Sequence, residues 1–111
     1  MPTNTNSTTQ AIIDFVKWNG GAAFRVNTSG IRGRRSRNKG AADIRIVYKG
    51  YSLDVEIKTG KDKQSPDQWA FQQEIERAGG VYWLVENVEE FILKFEEWRL
   101  ITFTNRLTNF F

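Results

Sequence analysis

The chain has 111 residues, enough for one domain with one core and too few for two. It is 40% hydrophobic and 14% aromatic, as a folded chain is, and it lacks cysteine and histidine. Disulfides, thiolate or imidazole metal sites and histidine acid–base catalysis are therefore excluded, and any metal must be a hard ion held by oxygen. The net charge of +3 is unevenly spread: every charge from Arg25 to Lys39 is positive, whereas five glutamates face one lysine between Glu86 and Glu97. A one-signed basic block beside an acidic helix suits a polyanionic partner.

Residues 1–8, MPTNTNST, are polar and read as a frayed end. Thr8 or Thr9 is placed to N-cap a helix from about Gln10 to Asn19, with Ile12, Val16, Phe15 and Trp18 on its apolar stripe and Gly20-Gly21 as its stop. Ala23 to Val26 reads as a strand. Asn27 to Lys39, NTSGIRGRRSRNK, holds turn formers and arginines with no hydrophobic period, and reads as a long exposed loop. Arginine forks make bidentate contacts with phosphate, so Arg25, Arg32, Arg34, Arg35, Arg37 and Lys39 are candidate DNA contacts. Such contacts position a protein without specifying sequence. The plainer reading is a solvated loop.

Ala42 to Lys58 is the most informative stretch. Two runs of β-branched and aromatic residues flank Lys49-Gly50, which predicts a hairpin with a two-residue turn. Tyr48 then faces Tyr51, Ile46 faces Leu53, Ile44 faces Val55 and Ala42 faces Ile57, all on one apolar face. The other face pairs Val47 with Ser52, Arg45 with Asp54 and Asp43 with Glu56. Arg45 and Asp54 read as a cross-strand ion pair. Opposed like charges about 5 Å apart are destabilising, so Asp43 and Glu56 require a reason, and a divalent cation between them supplies one. Mg²⁺ favours one or two carboxylates plus water and phosphate oxygens. Lys58, two residues past Glu56, emerges on the same face, where an ammonium can orient water and offset developing charge. Each acid taken alone is read as an ordinary surface group; the three residues together read as a hydrolytic site.

After a polar link, TGKDKQ, Ser65-Pro66-Asp67-Gln68 carries a helix-start signature, and the helix runs to about Ala78, burying Trp69 and Ile75. Lys61 and Lys63 in the link read as solvated groups or further phosphate contacts. Val81 to Val85, VYWLV, reads as a strand buried centrally in a sheet. Asn87-Val88-Glu89-Glu90 repeats the capping signature ahead of Val88, Phe91, Ile92, Phe95 and Trp98 at helical spacing. Trp18, Trp69, Trp83 and Trp98 are spaced as core residues. Leu100 to Phe111 reads as either a terminal strand or an arm packing on a partner subunit. The order predicts one α/β domain, a mixed central sheet flanked by helices, with the last strand parallel to the second hairpin strand.

Gly40-Ala41-Ala42-Asp43, then Glu56-Ile57-Lys58, then Gln68 resemble the motifs of the PD-(D/E)XK nuclease superfamily, and within it the small stand-alone VRR-NUC type, over roughly residues 9–92. That type includes phage and bacterial Holliday-junction resolvase-like enzymes. The resemblance implies a restriction-endonuclease-like αβββαβ core and a Mg²⁺- or Mn²⁺-dependent endodeoxyribonuclease acting on branched DNA. Asp43, Glu56 and the Ile57 main-chain carbonyl would hold the metal, and Lys58 would serve the attacking water. It also gives Gln68 a site role, which competes or coexists with a capping role on Ser65. Ala42 stands where the family usually has proline. Ser7-Thr8-Thr9-Gln10 lacks the acid often found there, and Asp14 is the nearest. Symmetric junction cleavage implies a homodimer. With no membrane-length apolar run and no secretory signal pattern, the expected location is the cytoplasm of a bacterial or phage-infected cell. The alternatives are a restriction or repair nuclease on linear duplex, and a non-catalytic DNA-binding module of the same fold.

Overall fold

Lys49 and Gly50 both adopt positive φ, 48° and 86°, the left-handed pair that a tight two-residue hairpin needs. The register follows as predicted: Tyr48 pairs Tyr51, Val47 pairs Ser52, Ile46 pairs Leu53, Arg45 pairs Asp54 and Ile44 pairs Val55. The computed structural model describes residues 5–26 and 42–108, the last four by backbone alone. Its elements are α1 (Thr5–Trp18), β1 (Ala22–Arg25), β2 (Ile44–Tyr48), β3 (Tyr51–Ile57), α2 (Pro66–Arg77), β4 (Val81–Val85) and α3 (Val88–Thr108). The sheet order is β1-β2-β3-β4. The first two pairings are antiparallel and β3–β4 is parallel, as expected of the crossover through α2.

The predicted apolar hairpin face is the core. Ile44, Ile46, Leu53 and Val55 are wholly buried, and Ile12, Val16, Phe91 and Phe95 close over them from α1 and α3. Burying each such side chain contributes about 1.5–3 kcal/mol. Gly21 lets α1 turn tightly into β1: a Cβ there would lie 2.7 Å from Val16 Cγ1 and 3.1 Å from the Val47 carbonyl. At the hairpin tip, Arg99 of α3 donates to the Tyr48 hydroxyl (3.2 Å) and to Asn19 Oδ1 (3.4 Å), tying three elements together. The opposite sheet face carries α2, which buries no residue and meets β4 through Phe71 against Tyr82. Among the described residues no helix is long and apolar enough to cross a membrane.

Several expectations are corrected. α1 begins a turn before the predicted cap, so Thr8 and Thr9 are buried inside it, and Thr9 Oγ1 donates back to the Thr5 carbonyl at 2.7 Å. Trp18 is 91% exposed and Trp69 57% exposed. Each lies about 200° round its helix from an inward residue, Val16 or Phe71, two positions away. Trp83 and Trp98 do pack against the core. β4 is an end strand of the described sheet; its apolar run reflects cover on both faces, from α2 and α3, rather than central position. From Leu100 the chain continues as α3, not as a strand.

Candidate active site

The site forms where β2 and β3 leave the hairpin, at the end of the sheet away from Tyr48. Asp43 precedes β2, and its carbonyl accepts from Val26 N at 2.9 Å, extending the β1 ladder by one rung. Its side chain crosses to β3, where Oδ2 accepts from Ile57 N at 2.8 Å. The described β2–β3 ladder ends at Ile44–Val55; beyond it the Asp43 carboxylate replaces a backbone partner. In extended backbone the N–H and C=O of one residue point to the same neighbour, so the Ile57 carbonyl is directed to the Asp43 side too. Lys58 N donates to the Val85 carbonyl at 2.9 Å, which fixes the backbone beneath the lysine.

Glu56 lies between them on the same sheet face and is wholly buried. Gln64 Nε2 reaches its Oε2 at 3.4 Å and also donates to Gln72 Oε1 at 2.9 Å. Burial pushes the Glu56 carboxyl above its usual range; the Tyr82 hydroxyl, the Lys58 ammonium and Gln64 pull it down, and the Asp43 charge pushes it up. Alternation along β3 and the Asp43–Ile57 bond put Asp43, Glu56 and Lys58 on one face, and the β3–β4 pairing sets Tyr82 on that face one strand over. Yet Glu56 Oε1 and the Tyr82 hydroxyl, both buried, complete no hydrogen bond. Burial and the neighbouring Glu56 carboxylate push the Tyr82 phenol well above its ordinary range.

A buried carboxylate oxygen without a partner is rare and calls for a cause. The donor set answers it: two carboxylates and a main-chain carbonyl are hard oxygen ligands, and a divalent cation would meet the unpartnered Oε1. The residues therefore fit Mg²⁺ or Mn²⁺. Among the described residues no three acidic side chains converge. Asp14 accepts instead from Gln10 at 2.8 Å on the exposed side of α1.

The remaining predicted groups sort as follows. Gln68 makes the capping box: its Oε1 accepts from Ser65 N at 2.8 Å and its N donates to Ser65 Oγ at 3.1 Å. The glutamine that reaches Glu56 is Gln64. Arg45 and Asp54 form the expected ion pair at 3.1 Å, and burial raises the Asp54 carboxyl despite the guanidinium. Arg25 is exposed and touches Gln10 Oε1 (3.4 Å) and the Asn6 carbonyl (3.5 Å). Arg32, Arg34, Arg35, Arg37 and Lys39 lie outside the described residues. Sequence reasoning passed over Tyr82 and Gln64. For Tyr82 a signal existed: alternation along VYWLV sets Tyr82 and Leu84 opposite Val81, Trp83 and Val85.

No protein-family model matches the sequence, and no curated protein matches it. A solved structure described as a "VRR_NUC domain" is similar over 86% of this chain and 97% of its own, with a TM-score of 0.68 and 18% sequence identity. At that identity the likeness is one of fold. The chain, a mixed four-stranded sheet flanked by three helices, has the VRR-NUC nuclease fold.

Proposed function

We propose that the protein is a metal-dependent endodeoxyribonuclease that cuts branched DNA. The observation that carries this reading is the gathering of Asp43, Glu56 and Lys58 at one sheet end, around a buried carboxylate oxygen with no partner. When bound, Mg²⁺ or Mn²⁺ supplies Lewis acidity toward water and phosphate oxygens. Asp43, Glu56 and the Ile57 carbonyl hold it. Asp43 is kept in place by the Ile57 amide. Lys58 keeps its ammonium beside the acids, where it orients the attacking water and offsets charge developing on the scissile phosphate. Arg25 and the basic stretch that follows it grip the DNA backbone by charge.

Branched substrate and a homodimer are the finer parts of the reading. Arginine contacts to phosphate position a protein without reading bases, which favours recognition by shape. Resolving a junction symmetrically needs two sites, hence two copies. Exposed Leu93, Leu100 and Ile101 on α3 support such an assembly.

The test is cleavage of four-way junction, linear duplex and single strands in Mg²⁺, Mn²⁺ or EDTA. Junction cutting that needs the cation is expected, and Lys58→Ala should lower it by at least about a hundredfold while DNA binding persists. Equal cutting of linear duplex would point to a restriction or repair nuclease. Binding without cutting in any cation would reduce the protein to a binding module.

A further inference from the structure

Tyr82 has a hydroxyl that its packing does not explain. The ring meets Phe71 of α2 at 6.2 Å between centroids, a contact that phenylalanine would make equally well. The residue is 4% exposed and its oxygen has no completed hydrogen bond. A buried hydroxyl without a partner is costly, so one persists where something gains from it. Glu56 and Gln64 act on this hydroxyl as hydrogen-bonding groups, and Asp43 acts on it by charge. Glu56 Oε1, likewise without a partner, has two lone pairs, so it can accept from this hydroxyl and still face a cation.

Gln64 acts on the other oxygen of the same carboxylate. Its amide nitrogen has two hydrogens and two acceptors, Glu56 Oε2 at 3.4 Å and Gln72 Oε1 at 2.9 Å. Both neighbours accept, which fixes which end of the amide faces inward. The link runs from α2 through Gln72 and Gln64 to Glu56.

We propose that Tyr82 and Gln64 are positioning residues that hold the two oxygens of Glu56 from behind, so that the carboxylate is set for a hard divalent cation before the ion arrives. In this reading neither touches DNA or the reacting phosphate. The proposal rests on the metal-site reading above and adds to it the groups that make the site rigid. Hydrogen-bond partners behind metal-bound carboxylates tune affinity, and their loss typically weakens binding ten- to a hundredfold.

The experiment is calorimetric titration of Mn²⁺ into the full chain, alone and, in a Lys58→Ala background that suppresses cutting, with a four-way junction, for wild type, Tyr82→Phe and Gln64→Leu. Thermal midpoints in EDTA run alongside. Each variant is expected to bind Mn²⁺ about tenfold or more weakly, with a metal-free midpoint within a few degrees of wild type. The double variant should lose less than the product of the two single losses, because both residues restrain one side chain. If wild type takes up Mn²⁺ and both variants do so with the same constant, the positioning role is overturned and the metal site stands. A fall in metal-free midpoint with unchanged Mn²⁺ affinity would also overturn it, leaving a packing role. Wild type that takes up no Mn²⁺ in either state would remove the metal site and this proposal with it.

Discussion

Glu56 and Asp54 are acids that the fold holds against their solvation. Glu56 is wholly buried and Asp54 nearly so, and burial raises the carboxyl of each above its ordinary value. A carboxyl that binds its proton more tightly folded than unfolded stabilises the fold where it is protonated. That contribution is complete below the unfolded value, about pH 4, and is lost as pH rises through the folded one. The metal-free protein should therefore lose stability from these two groups as pH climbs out of the ordinary carboxylate range toward neutrality. Glu56→Gln removes a buried charge whose Oε1 has no partner. In EDTA near pH 8 it should raise stability by roughly 1 kcal/mol, or about 4–8 °C in thermal midpoint, and the gain should shrink toward acid. A midpoint that falls at pH 8 would mean that the ionised Glu56 is already well compensated without metal. In Mg²⁺ the sign should reverse, because only the carboxylate binds the ion.

The elements differ in how far their sequence declared them, and the difference is physical. The β2–β3 hairpin was legible residue by residue because Lys49-Gly50 fixes the turn, the turn fixes the register, and a one-residue slip would put Ile44, Ile46, Val55 and Leu53 on the wrong face. The α2 start was legible because Ser65, Pro66 and Gln68 interact locally, and the capping box forms from those residues alone. The α1 start was not. Thr8 and Thr9 have capping chemistry, but their place under the sheet decides that they are interior, and nothing local encodes that. Trp69 misled for the opposite reason: α2 has an apolar residue to spare and no surface to cover it with. Of the candidate site residues, Asp43, Glu56 and Lys58 lie in or just beyond the hairpin, so their shared face was legible from its alternation. Tyr82 and Gln64 come from β4 and the link before α2, and only the parallel pairing of β3 with β4 brings Tyr82 alongside the acids.

The whole molecule has two unlike ends. At the hairpin tip Tyr48, Phe95, Trp98 and Phe103 stack edge to face, closed by Arg99 and Lys49. At the other end the strands finish in acids, a lysine and polar links. Along α3, Leu93 is 72% and Leu100 69% exposed, apolar surface that a second copy would cover. Light scattering on the eluting protein at micromolar concentration should give about twice the chain mass; a strict monomer that still resolves junctions symmetrically would rule out this surface as the dimer contact.

α2 has no fully buried residue, and its ties include the Phe71–Tyr82 ring contact and the Gln64–Gln72 link. Regions with few buried apolar contacts open at the lowest free energy. Amide hydrogens of α2 should therefore exchange with deuterium well before those of α1 or of the Phe91–Phe95 turn of α3. Since the same link ends on Glu56, seating a cation there should slow exchange in α2, some way along the chain from any ligand. Exchange in α2 that ignores the cation would mean the helix and the acids move independently. Otherwise the loosest of the described helices reports on whether the proposed cation site is loaded.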